Sequence, residues 1–146
     1  MLPTTRQEKF LIRLISLGNV PYIWGGQDPK LGLDCSGLSQ IILGYIDLDP
    51  DGDETADMLM KRLLTEGGKE INLSDAYLGD QVFYGSGKAT HVVTYLLEGL
   101  TLGANGGGSW CTSAKIARER GAFVRVDHIH YRSDLIKIVR PKGMIW

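Results

Sequence analysis

Residues 33 to 40 read LDCSGLSQ and set a thiol between a carboxylate and a hydroxyl at the head of an apolar run. A cysteine buried only for packing sits among apolar neighbours. Cys35 instead has Asp34, Ser36 and Gly37. Leu38, Ile41, Ile42 and Tyr45 follow at helical spacing, so the thiol stands at a helix N-terminus capped by Asp34. Such an end carries about half a positive charge and several unpaired backbone N–H groups. Both suit acyl transfer. The positive end is expected to lower the thiol pKa, and the free N–H groups can hold the oxyanion of a tetrahedral intermediate. Gly37 is expected to let a substrate backbone come close.

A thiol nucleophile needs a base, and the chain has three histidines, His91, His128 and His130. His91 opens the β-branched and aromatic run HVVTYLL after a glycine-rich turn. A strand there would fix the backbone while the ring faces a cleft. His128 and His130 lie in VDHIHYRSD, near the last connection, where an exposed histidine is ordinary. Cys35 and His91 are therefore the candidate pair.

Other elements must position them. Thr5 to Leu17 reads as a helix, with Thr5 and Glu8 as a capping box and Phe10, Leu11, Leu14 and Leu17 on one face. VPYIWGG, residues 20 to 26, reads as a loop or tight strand edge. The cysteine helix runs from Cys35 to about Tyr45, buried along one face. Thr55 to Thr65 is another helix. Beyond it the pattern turns to strands: GDQVFYG, HVVTYLL, a hairpin turn at Glu98-Gly99, and LTLGAN. A short helix from Ser113 to Arg120 precedes two final strands, AFVRVDHI and DLIKIVRP. Helices first and strands later indicate an α+β class with a central antiparallel β-sheet.

The 146 residues suit one domain spanning residues 1 to 146, and 43% apolar composition suffices for a core. A net charge of -1 offers no footprint for nucleic acid or an anionic membrane. No apolar run approaches the roughly 18 residues of a membrane span. MLPTTRQEKF lacks the features of a secretory signal, so the chain is expected to be cytoplasmic as synthesised, reaching a wall by phage or another export route. The two cysteines cannot alone make a zinc site, and Cys111 is expected to be a semi-buried bystander. Asp47, Asp49, Asp51, Gly52 and Asp53 imitate a calcium loop, but Met58 replaces its bidentate glutamate and Pro50 stiffens it. A solvated acidic turn is the expected reading. GANGGGS lacks the GK[ST] of a phosphate loop.

Together, VPYIWGG, LDCSGLSQ, LGDQVFYG and HVVTY resemble, in order and spacing, the motifs of the NlpC/P60 cysteine peptidases, a family with a reduced papain-like fold. The resemblance covers roughly residues 5 to 105. It implies a cell-wall hydrolase, of cellular or of phage or prophage type, that cuts peptidoglycan stem peptides or muropeptides, commonly between γ-D-glutamate and the diamino acid. It implies Cys35 as nucleophile, His91 as base and Tyr22 near the oxyanion. Asp34 and Ser36 correspond to residues that bind a stem peptide's free amine. No cofactor or metal is implied. The family's third polar residue, which orients the imidazole, falls here at Gly103, which has no side chain. Asn105, two residues on and on the same strand face, can reach the ring as an amide. His128, His130 or a backbone carbonyl are the alternatives. Two other readings stay open: a non-catalytic wall-binding or phage-tail module, and an amidase or acyltransferase using the same pair. A phage-tail or wall-targeting partner is an expectation of the same kind.

Overall fold

Thr5 opens the first helix, α1 (Arg6–Ile15), as the capping box requires: its hydroxyl accepts from Glu8 N–H at 3.1 Å and the Glu8 carboxylate accepts from Thr5 N–H at 2.9 Å. Phe10 and Leu14 point into the core. The computed structural model describes residues 5–49, 52–144 and 146. VPYIWGG then runs as an irregular edge, with isolated bridges from Pro21 to Phe123 and from Tyr22 to Leu33. It leads into a small hairpin that periodicity did not reveal, β1 (Gln27–Asp28) and β2 (Gly32–Leu33). Strands this short carry no readable alternation.

Next come α2 (Cys35–Gly44) and α3 (Ala56–Thr65), the latter capped by Thr55. Five strands and one more helix follow the short β3 (Lys69–Ile71): β4 (Gln81–Tyr84), β5 (His91–Leu97), β6 (Leu100–Asn105), α4 (Ala114–Arg120), β7 (Phe123–His128) and β8 (Leu135–Arg140). These strands form one antiparallel sheet in the order β3-β8-β4-β5-β6-β7. β3, a sheet edge with two exposed residues of three, was not anticipated. Glu98 and Gly99 turn between β5 and β6 with φ of 51 and 79, the paired positive values of a type I′ hairpin. Ser113 caps α4 and left-handed Gly121 ends it.

The helix carrying Cys35 departs from expectation in one respect. It is buried nearly all round, Ser39 and Gln40 included, rather than along one stripe. Leu38 and Ile42 pack with Leu96, Leu102 and Ala104 of the sheet, while Leu43 packs with Leu59 and Leu63 of α3. A helix between a sheet and a second helix has apolar contacts on opposite sides, so no single stripe marks it. The other sheet face holds Val82, Tyr84, Val93 and Tyr95 against Ile129.

In the acidic turn before α3, Asp49 accepts from Gln40 Nε2 at 3.2 Å and Glu54 pairs with Arg62 at 2.8 Å. Pro50 and Asp51 lie outside the described residues. Among the described residues no group of three or more His, Cys, Asp or Glu is arranged to hold a metal ion, and no helix is long and apolar enough to cross a membrane.

Candidate active site

Asp34 starts the cysteine helix. Its Oδ1 accepts from Gly37 N–H at 2.7 Å and from Ser36 Oγ at 3.3 Å, and Oδ2 accepts from Gly25 N–H at 3.1 Å. One carboxylate therefore caps α2 and ties it to the PYIWGG segment. Burial raises the Asp34 pKa against the hydrogen bond from Gly37. Asp53 adds to the rise, and the bonds from Gly25 and Ser36 oppose it. Gly37 serves a different purpose from the one expected. A Cβ there would sit 2.2 Å from the Gly26 carbonyl oxygen, so the missing side chain admits the protein's own backbone, not a substrate.

Cys35 belongs to a buried cluster that includes Val92, Ala89 and Ala56. Burial pushes the thiol up to about 11. The Val92 N–H lowers it, the Asp34 charge raises it, and the N–H groups of Ser36 and Cys35 lower it again. The lowered thiol expected from the helix terminus is therefore corrected: at 8% exposure, loss of water around the anion outweighs the dipole. The sulfur lies against the main chain of the residue that follows His91. Burial first, then Tyr84, raises the hydroxyl pKa of Tyr131, with Cys35 a small contributor; the Tyr131 ring stands edge-on to His91 at 6.4 Å.

His91 is 8% exposed, walled by Tyr84 at 6.0 Å as well as by Tyr131. Burial takes its pKa down to about 4, the Arg132 charge lowers it further, and the hydrogen bond to Asn105 works the other way. Both shifts favour the neutral form of the group concerned.

His91 Nε2 lies 2.9 Å from Asn105 Oδ1. Counting from the Thr94↔Leu102 pair, His91 and Asn105 stand opposite each other on β5 and β6. Gly103 makes the contact feasible. A Cβ at 103 would fall 2.4 Å from Val93 Cγ1 and 2.7 Å from Asn105 Oδ1, so the Asn105 amide uses the space that the glycine leaves. His128 and His130 are exposed and stack on each other at 5.5 Å, away from this contact.

Sequence reasoning missed what lies behind Asn105. Its Nδ2 donates to Asp127 Oδ2 at 2.8 Å, and Tyr131 OH donates to its Oδ1 at 3.1 Å. Arg125 Nε donates to the same Asp127 oxygen at 2.8 Å. Alternation along β7 places Arg125 and Asp127 on one face, a legible signal. Their pairing with β6 was not legible.

Tyr22 is buried, held by N–H donation to Ala122 O at 3.0 Å, and burial raises its hydroxyl above the ordinary tyrosine range. Cys111 is fully buried rather than semi-buried, and its thiol donates to the Tyr22 carbonyl at 3.1 Å, pinning this segment. Tyr22, Trp24, Asp34, Cys35, Ser36 and Asp53 line a cavity of about 230 Å³. A larger cavity of about 410 Å³ lies elsewhere, around Asp47, Arg62 and Lys142, and contains no nucleophile.

Residues 19–125 match the family model described as the NlpC/P60 family. The bifunctional muramidase/DL-endopeptidase CwlT of Bacillus subtilis is 36% identical over 95 residues, which cover 60% of this chain and 26% of CwlT. The peptidoglycan endopeptidase RipB of Mycobacterium tuberculosis is 31% identical over 114 residues, 68% of this chain and 43% of RipB. The chain thus spans less than half the length of either relative. Among solved structures, the NlpC/p60 domain of the peptidoglycan hydrolase SagA superposes with a TM-score of 0.67 at 24% identity, covering 93% of this chain and 99% of that one.

Proposed function

The chain belongs to the NlpC/P60 family, and on that premise we propose that it is a cysteine endopeptidase acting on the peptide stems of bacterial peptidoglycan, at the γ-D-glutamyl–diamino acid bond. The observation that carries this reading is the combination of Cys35 at the start of α2, against Val92, with His91 bonded to Asn105 at 2.9 Å. In this reading Cys35 Sγ attacks the amide carbon while His91 takes the thiol proton. The tetrahedral oxyanion is held by the backbone N–H groups at the head of α2, with the Tyr22 hydroxyl beside them. The C–N bond then breaks, and His91 returns the proton to the leaving amine. The resulting thioester is hydrolysed by water activated by the same imidazole. Asn105 keeps the ring in place.

The acidic lining of the cavity, Asp34 with Asp53, supports an amine-bearing substrate such as a stem peptide. Asp34 and Ser36 would meet the free amine while capping the helix. The non-catalytic alternative draws on one observation, the near-complete burial of Cys35. Digestion of purified muropeptides, with the new termini identified by mass, separates the two. Wild-type protein should release a fragment with a new diamino-acid N-terminus, and Cys35→Ser should abolish it. Cleavage that survives Cys35→Ser removes the assignment, and absence of wild-type cleavage favours the inert module.

A further inference from the structure

Asn105 can help His91 only if the correct end of its amide faces the ring. The carbonyl must accept from the imidazole N–H. The amide turned about would offer Nδ2 and require a lone pair on Nε2 instead. Either orientation has the same shape, so packing alone does not choose. A hydrogen-bond partner does. The Asp127 carboxylate accepts and cannot donate, and it lies 2.8 Å from Nδ2. Arg125 Nε holds that same carboxylate oxygen at 2.8 Å, and its Nη1 anchors on Gly121 O at 2.8 Å. Tyr131 OH meets Oδ1 from the other side at 3.1 Å. The Tyr131 hydroxyl can donate or accept and fits either orientation, so the acceptor-only carboxylate of Asp127 is the contact that chooses.

We propose that Asp127, held by Arg125, is a positioning residue: it orients the Asn105 amide and thereby sets the His91 tautomer with the proton on Nε2, leaving Nδ1 as the base for Cys35. The proposal rests on the cysteine-hydrolase reading for its catalytic meaning, but its physical content, the tautomer, is independent of turnover. Asp127 touches neither the sulfur nor the imidazole. It acts through one intervening amide, as in other sites where an outer hydrogen bond fixes which imidazole nitrogen carries the proton.

Nitrogen NMR of histidine-labelled protein reads the tautomer directly, with His91→Gln identifying the His91 signals. Wild type should show protonated Nε2 and unprotonated Nδ1. Asp127→Ala should give mixed or reversed protonation, and kcat on muropeptides should fall roughly tenfold, the effect of one charge-assisted hydrogen bond, with KM little changed. Asp127→Asn keeps an acceptor and should restore the wild-type tautomer and most of kcat. A His91 tautomer unchanged in folded Asp127→Ala overturns the proposal, whether or not the protein cleaves peptidoglycan. So does Asp127→Asn behaving like Asp127→Ala. If the tautomer responds but wild type cleaves no muropeptide, the hydrolase reading fails and the positioning role of Asp127 stands.

Discussion

At the scale of single residues, burial works against charge on both groups proposed to react. Burial moves the Cys35 thiol and the His91 imidazole in opposite directions, and both shifts favour the neutral form. This sets an expectation for pH dependence. In the proposed mechanism His91 works as base only when unprotonated, and burial lowers its pKa from 6.5 to about 4. The unprotonated form is therefore fully present at neutral pH and is lost only as pH falls through about 4. The acid limb of kcat/KM should lie well below the ordinary histidine range. A pH–rate series on a muropeptide checks this. A limb near 6.5 would mean that water reaches His91 and that the buried arrangement is not the working one.

At the scale of elements, β6 shows how a missing side chain can matter as much as one present. The third polar residue of the resemblance falls on Gly103, yet the function can pass to Asn105 because side chains alternate and 103 and 105 share a face. The glycine leaves the volume that the amide fills. Gly103→Ala would place a methyl 2.4 Å from Val93 Cγ1 and 2.7 Å from Asn105 Oδ1. The expected cost is about 1–3 kcal/mol of stability from overpacking. Displacing the amide from His91 should also lower kcat by roughly tenfold or more. Urea unfolding alongside kcat measures both; unchanged kcat in the folded variant would mean that Asn105 is not needed in its observed place. The cysteine helix is built on similar close contact, with Gly26 O seated where a Gly37 side chain would be.

At the scale of the whole molecule, a buried ion pair joins distant parts of the chain. Asp80, fully buried before β4, accepts from Arg140 Nε at 2.9 Å and Nη2 at 2.8 Å, and also from Tyr77 N–H at 2.9 Å. Arg140, the last residue of β8, lies over the Tyr77 ring at 3.3 Å. This clamp braces the neighbouring strands β4 and β8, and β4 in turn supports β5, where His91 sits. Arg140→Ala leaves a buried carboxylate without its cation, and the expected loss is about 3 kcal/mol, the lower end for a buried pair because the guanidinium is partly solvated. The midpoint of urea unfolding reads it. The double substitution Asp80→Leu with Arg140→Met should recover much of the loss. A single variant as stable as wild type would show that the pair contributes nothing.

Local physics was legible without coordinates. Capping by Thr5, Asp34 and Ser113, the Glu98-Gly99 turn and the strand His91–Leu97 depend on contacts within a few residues, so residue order determines them. The polar setting of Cys35 and the place of His91 at a strand start were readable for the same reason. What required the fold were quantities set by residues far apart in the chain. The burial that pushes the thiol up, the clash that makes Gly103 a glycine, and the register that brings Asp127 to Asn105 all arise from strand pairing and packing. Periodicity shows which residues share a face, but only the paired sheet decides which faces meet, and with them the side of the amide that His91 sees.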